Sequence, residues 1–394
     1  MTPGRDPHRV VAWRGVVPAF LTTTVGMLPG FLIAGFAVQI RAELDLSLSG
    51  LGLMIGLFFG TAALVSPSMG RLSERVGWAA GLLIASGFTA VSLAGVGWIA
   101  GSTPELAVFY IVGGIGSALS QIASNLTVAQ CVDPSRQGLV FGLRHAAVPT
   151  AAILAGLAVP TIALTVGWRW GFRAALLLVL VAAASIPRHG EPHTINPAPP
   201  AKAGHPQSLR TPFPLLIMLA VAVGLGTGGI DTIASFIVSY SVAEGISESS
   251  AGILLAVGSV CGLTARVVGG WLIDRSQHAD LTAVAAMIGT GTGGVVLLNL
   301  GGLPGLYLGA AIAFAAGWGW AGLFTFAVVK DNPEAPAAAS GITQTGKYLG
   351  AAIGPPIFGL IADRVSFTAA WWFTTMVLAL AAALILYVRA QRTL

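Results

Sequence analysis

Four ionisable side chains, Arg144, Asp231, Arg266 and Lys347, lie inside long apolar stretches of a 394-residue chain in which only 9% of residues are charged. Burying a charge midway along such a stretch costs about 3 kcal/mol, so each one needs a partner or a task. Three cations against one acid describe a pocket that attracts negative charge, and the chemistry they can do is to hold a small organic anion such as a carboxylate. Asp231 is the one acid deep in an apolar stretch, so a coupling proton or other ion would run through it. Facing a cationic or hydrophobic compound instead, the same carboxylate would serve an exporter of drugs. Plainer roles are open as well: Asp231 and Lys347 can neutralise each other, and Arg144 and Arg266 lie near enough to the ends of their stretches to snorkel.

Polar spacing adds to this set. Ser117, Gln121 and Asn125 recur every four residues, as do Thr227, Asp231 and Ser235, so each trio lines one face of a helix. Hydrogen bonding between helices accounts for such stripes equally well. Of the paired tryptophans Trp318 and Trp320, one can stack on a substrate, although packing or interface anchoring is the commoner role. The candidate substrate-binding residues are therefore Arg144, Lys347, Arg266, Gln121, Asn125, Asp231 and Trp318. Enzyme chemistry has no foothold: there is no phosphate-binding glycine loop, no nucleophile elbow and no His-Glu-x-x-His. His189, His193 and His205 lack metal-ligand spacing, and Cys131 and Cys261 are too far apart in sequence to imply a disulfide. Neither cofactor nor metal is expected.

Such side chains converge only if helices carry them through a bilayer. Soluble domains are roughly one quarter charged; here 55% of residues are hydrophobic and mean hydropathy is +0.83. The 52 glycines suit helices that pack backbone to backbone in lipid. Apolar spans are predicted near 16–40, 50–70, 78–100, 105–130, 138–166 and 169–186, then near 213–241, 250–272, 281–301, 304–329, 338–361 and 368–388. Each is long enough to cross a hydrocarbon core of about 30 Å. The expected units are residues 1–186, a hydrophilic cytoplasmic linker over 187–212, and residues 213–394. Most basic residues fall on one side of this layout, among them Arg5, Arg9, Arg14, Arg71, Arg75, Arg136, Arg188, Lys202 and Arg210, against Arg41, Arg169, Arg173 and Arg364 on the other. Basic loops resist translocation, so both termini are expected in the cytoplasm of a multi-pass inner-membrane protein. The net charge of +5 is thus topological, and no nucleic-acid partner follows from it. The partners expected are the lipid bilayer and a small-molecule substrate, with the protein acting as a monomer.

The two halves repeat. A shift of 200 residues places Gly26 on Gly226, Ser49 on Ser249, Gly70 on Gly270 and Arg75 on Arg275, and a later shift of 203 places Gly138 on Gly341, Arg144 on Lys347 and Trp168 on Trp371. Within the repeat, Gly70-x-x-x-Glu74-Arg75-x-Gly77 comes after the second span and Gly270-x-x-x-Asp274-Arg275 after the eighth. This motif, together with the six-plus-six layout, resembles the major facilitator superfamily. The resemblance implies an all-α membrane protein of twelve transmembrane helices, in two six-helix bundles related by pseudo-twofold symmetry, that works as a secondary active transporter by alternating access. It also implies a central cavity lined by the first, fourth, seventh and tenth helices. Gly70, Glu74, Arg75, Gly270, Asp274 and Arg275 would be gating residues, the glycines allowing neighbouring helices to approach and the acid-Arg pairs bonding across the bundles in one access state. Arg266 and Lys347 are similar in placement to cations of monocarboxylate and oxalate-formate carriers. Two features of drug antiporters are missing: Tyr110 stands where they carry Arg in the fourth helix, and Gly350-x-x-x-Gly354-Pro355 occurs in the eleventh helix rather than the fifth. A membrane sensor built on a transporter scaffold is the alternative from another functional class.

Overall fold

A computed structural model describes residues 7–131, 137–187, 211–276, 280–300, 302–332 and 335–392. Twelve helical rods succeed one another in chain order. The first bundle holds α1 (Pro7–Gly35, continued by Ala37–Leu44), α2 (Leu48–Val76), α3 (Trp78–Ala94, ending in a π-turn), α4 (Thr103–Cys131), α5 (Gln137–His145, Ala147–Ala158 and Leu164–Val166, with a π-turn between the last two) and α6 (Trp168–Ser185). The second holds α7 (Phe213–Ala243), α8 (Glu248–Ser276), α9 (Leu281–Leu300), α10 (Gly302–Asp331), α11 (Pro336–Arg364) and α12 (Phe367–Arg392). Among the described residues, eleven helices are long and apolar enough to cross a membrane. The remaining one, α11, matches them at 29 residues but is less apolar, carrying Gln344 and Lys347. The expected linker over 187–212 lies almost wholly outside the described residues.

Local chemistry sets the ends of the rods. Ser47 caps α2 by accepting from Gly50 N at 3.0 Å, and its repeat partner Ser247 does the same for α8 through Ser250 N at 3.3 Å, leaving fewer amides of each first turn without an acceptor. Gly77, the last residue of the first motif, sits at φ +82°, a conformation that residues with a Cβ rarely adopt. It lets α2 turn directly into α3. Proline acts where it removes a backbone donor. Pro149 has no N–H for the carbonyl of His145, four residues earlier, and α5 breaks at Ala146. Pro160 falls in the π-turn Val159–Ala163.

Packing obeys the repeat. In the first bundle α1 packs on α4, α5 and α6, and α4 on α2 and α3; in the second α7 packs on α10, α11 and α12, and α10 on α8 and α9. Glycine makes the tightest of these seams. A Cβ added at Gly346, Gly350 or Gly354 of α11 would meet the carbonyl oxygens of Ala220, Gly224 and Gly228 of α7 in turn. The four-residue spacing that resembles a drug-antiporter signature thus serves here as a helix zipper.

Between the bundles, α2 packs on α11 and α5 on α8, two contacts that exchange under the pseudo-twofold. Both are lopsided. Twelve crossings place both ends of the chain on one face, the terminus face, with the opposite far face reached at residues 44–48, 243–248 and 364–367. In the far half, Gly52 and Gly56 of α2 lie against Pro355 and Pro356, Gly359 lies against Leu48 and Ser49, and Gly156 lies against Gly252 and Ala256. In the terminus half, Gly70, Gly142, Gly270 and Gly341 would each accept a Cβ with nothing within 4 Å. The far side is shut and the terminus side is parted.

Candidate central binding site

Where the shut and parted halves meet, α1, α2, α4, α5, α7, α8, α10 and α11 enclose a cavity of about 130 Å³. Its wall carries Gln121, Asp231, Arg266, Trp318 and Lys347 from the sequence-derived set, together with Thr227, His145, Tyr348 and Trp320. A larger space of about 590 Å³ runs along the glycine zipper between α7, α11 and α12. None of its described lining residues is ionisable, so the charged candidates gather at the smaller one.

Each charged group of the cavity is held differently. Asp231 accepts a hydrogen bond from Trp318 Nε1 at 3.2 Å through Oδ1, and Trp318 is wedged edge-on between Phe31 at 5.9 Å and Phe314 at 5.1 Å. The indole therefore fixes the carboxylate. Arg266 donates from Nε to Trp318 O at 2.9 Å and from Nη1 to His145 O at 2.8 Å, while its guanidinium carbon lies 5.5 Å from the Trp318 ring. The His145 carbonyl is free to accept because Pro149 cannot use it. A proline in α5 thus supplies the acceptor by which an arginine of α8 ties one bundle to the other. Lys347 Nζ stands 5.6 Å from the centre of the Trp320 ring, at cation–π distance. Among the described residues no ion pair within 4.0 Å joins Asp231 to Lys347 or Arg266; the mutual neutralisation open to Asp231 and Lys347 is not made in this conformation.

The rest of the sequence-derived set is dispersed. Arg144 is 5% exposed and donates from Nη2 to Gln121 O at 3.0 Å and more loosely to Gln121 Oε1 at 3.4 Å. It stands behind Gln121 rather than in the cavity wall. Asn125 is exposed and outside the lining, and Ser117 is spent on packing, its Oγ 3.7 Å from Met27 Sδ of α1. Of the α7 stripe, Thr227 and Asp231 reach the cavity, whereas Ser235 Oγ bonds back to Asp231 O at 2.6 Å. Tyr110 donates from its hydroxyl to Pro29 O at 2.9 Å and is fully buried. His145 and Tyr348 do not stand out by composition, yet a signal for them exists: they come directly after Arg144 and Lys347 and match each other under the 203-residue shift.

The two Gly-x-x-x-acid-Arg motifs, expected from the sequence to gate, lie at the parted face. Glu74 and Arg75 are exposed, and the side chains of Asp274 and Arg275 lie outside the described residues. The close helix approach expected at Gly70 and Gly270 is absent, because the terminus-side halves of α2 and α8 stand away from the other bundle.

Comparison with known proteins agrees with this architecture. A sequence profile of the Major Facilitator Superfamily matches residues 19–355. An uncharacterized MFS-type transporter of Mycobacterium tuberculosis is 26% identical over 330 residues, covering 76% of this chain and 67% of that protein. Human monocarboxylate transporter 12 is 27% identical over 165 residues, 39% of this chain and 31% of that one. The transcription regulatory protein OpdE of Pseudomonas aeruginosa is 25% identical, covering 97% of this chain and 95% of its own. The crystal structure of a D-xylose-proton symporter has the same fold, with a TM-score of 0.76 at 16% identity, covering 95% of this chain and 97% of that chain. With two six-helix bundles meeting around a charged cavity, and a family profile that spans most of the sequence, the chain belongs to the Major Facilitator Superfamily of transporters.

Proposed function

We propose that the chain carries a small organic anion of carboxylate type across the inner membrane by alternating access, driven by an ion gradient. The observation that carries this reading is Lys347. Its ammonium faces the cavity with no carboxylate of the described residues within ion-pair distance, and Arg266 adds a second cation to the same wall, where Asp231 is the one acid among the described residues. A carboxylate substrate would complete the charge balance of the wall, with Lys347 as its main contact and the Trp318 and Trp320 rings at its apolar end. Asp231, oriented by Trp318, is the group through which a proton would be exchanged. The similarity to a monocarboxylate transporter supports the same substrate class.

Alternating access supplies the rest of the reading. The bundles are residues 1–186 and 213–394, joined by the linker 187–212, and the protein works as a monomer. With both termini in the cytoplasm, the parted face opens inward. Gly70, Glu74 and Arg75 and their repeats Gly270, Asp274 and Arg275 form the gate that closes when the far side opens. Uptake of radiolabelled short carboxylates into proteoliposomes, with unlabelled anions and cations as competitors, tests the substrate class. Flux inhibited by monocarboxylates is expected. Flux inhibited by organic cations alone would turn the reading to a drug exporter. Binding without flux would make the chain a ligand sensor, which the OpdE similarity favours.

A further inference from the structure

The far end of α11 carries the gating spacing a third time, as Gly359-x-x-x-Asp363-Arg364, and here it is engaged. The Asp363 carboxylate accepts from Leu48 N at 3.0 Å and from Ser49 N at 2.6 Å, the first two amides of α2 in the opposite bundle. With Gly50 N bonded to Ser47 Oγ at 3.0 Å and Leu51 N to Ser47 O at 2.9 Å, every amide of that first turn has an acceptor. Half of this cap comes from across the bundle interface. Gly359 sets the approach: a Cβ there would collide with Leu48 O, so only a glycine lets α11 come close enough for Asp363 to reach. A second tie lies nearby, Gln39 Nε2 donating to Glu248 Oε2 at 2.8 Å between α1 and α8, and Arg41 adds attraction toward Asp363.

We propose that Gly359 and Asp363 form a latch that holds the far face shut, the counterpart of the terminus-face motifs for the opposite access state. An acid at a helix N-terminus complements the unpaired amides and the helix dipole there. When that helix belongs to the other bundle, the interaction exists only while the bundles touch, so it stabilises one state and not the other. In the conformation seen here Asp363 is bonded across the bundle interface, whereas a Cβ added at Gly70 or Gly270 of the terminus-face motifs would meet nothing within 4 Å. The latch is independent of what the cavity carries.

Double electron–electron resonance tests it on the full chain in nanodiscs. With Cys131 and Cys261 replaced by serine, one spin-label pair at Ala42 and Ala243 reports the far face, and a second at Val76 and Gly341, where an added Cβ meets nothing within 4 Å, reports the terminus face; all four positions are exposed. Asp363→Asn keeps the shape and loses the charge. It is expected to lower the closed-to-open ratio of the far face about three- to fivefold, a modest effect because the carboxylate is solvent-exposed. Gly359→Leu wedges α11 from α2 and is expected to part the far face in most molecules. In both variants the terminus-face distance should shorten in step, which a loss of local structure alone would not produce. Arg364→Ala, which removes the neighbouring charge and leaves the acid, should leave both distances as in the wild type. Unchanged far-face distances in Asp363→Asn and Gly359→Leu, or an equal shift in Arg364→Ala, would overturn the proposal.

Discussion

Arg144 and Lys347 occupy equivalent positions of the two repeats, yet the fold uses them in different ways. Arg144 is buried and turned onto Gln121 of its own bundle. Lys347 reaches the cavity with an aromatic face beside it and no acid of the described residues in ion-pair contact. The repeat supplies a cation at matched depth twice, and the role of each copy depends on whether an acceptor stands opposite. In the first bundle Gln121 offers a carbonyl and an amide oxygen, so the arginine becomes a strut between α5 and α4. In the second, Trp320 takes that place, and an indole ring attracts a cation without neutralising it. The asymmetry separates a scaffold charge from one left free for a ligand.

The sharpest way to break this comparison is to neutralise each member in turn. Lys347→Gln should lower kcat/KM for carboxylate uptake by about 100-fold, the scale for removing one partner of a buried, hydrogen-bonded charge pair. The cost should appear in both KM and kcat, since the anion must be held through the transit. If Lys347→Gln transported normally while Arg144→Gln did not, the roles assigned to the two cations would be reversed.

Asp231→Asn comes next in size and separates coupling from binding. The amide keeps the shape and the acceptor for Trp318 Nε1 but cannot give up a proton at the pH of transport. Accumulation driven by an imposed proton gradient should vanish, while exchange of internal for external substrate should persist within a few-fold of wild type. Gradient-driven accumulation by the variant would remove Asp231 from the coupling path.

The legibility of fold and site in the sequence differs from one property to the next. The twelve-rod layout comes from apolar length, and the pseudo-symmetry from matched glycines and the repeated Gly-x-x-x-acid-Arg, because both are one-dimensional patterns that helices convert directly into geometry. Asp231, Arg266, Lys347, Gln121 and Trp318 are recognisable as polar groups in apolar company. Their partners are not. That Arg266 bonds the His145 carbonyl depends on Pro149 breaking α5 opposite α8, a fact of tertiary placement. Asn125 shares the four-residue spacing of Gln121, but spacing fixes a helix face and leaves open how far along that face the cavity extends. The third motif copy at Gly359 escapes a search by repeat, since the 203-residue shift pairs Gly359 with Gly156 but sets Pro160 and Thr161 opposite Asp363 and Arg364.

The smallest expected effect sharpens the scaffold side of the comparison. Arg144→Gln removes the charge-assisted bonds to Gln121, whose carbonyl then keeps only its bond within α4, which should destabilise the protein by about 1–3 kcal/mol. Arg144→Lys keeps the charge but carries it on a shorter stem that stops short of where Arg144 Nη2 meets both Gln121 oxygens, so it should recover only part of that loss. Thermal unfolding of purified protein measures the stability, and uptake by the folded fraction measures function. The expected pattern is a lowered Tm with a KM within about threefold of wild type, because Gln121 still lines the cavity when its strut is gone. A KM raised as far as in Lys347→Gln, at unchanged Tm, would mean that Arg144 swings into the cavity in another access state, and the two repeats would then share the anion between them.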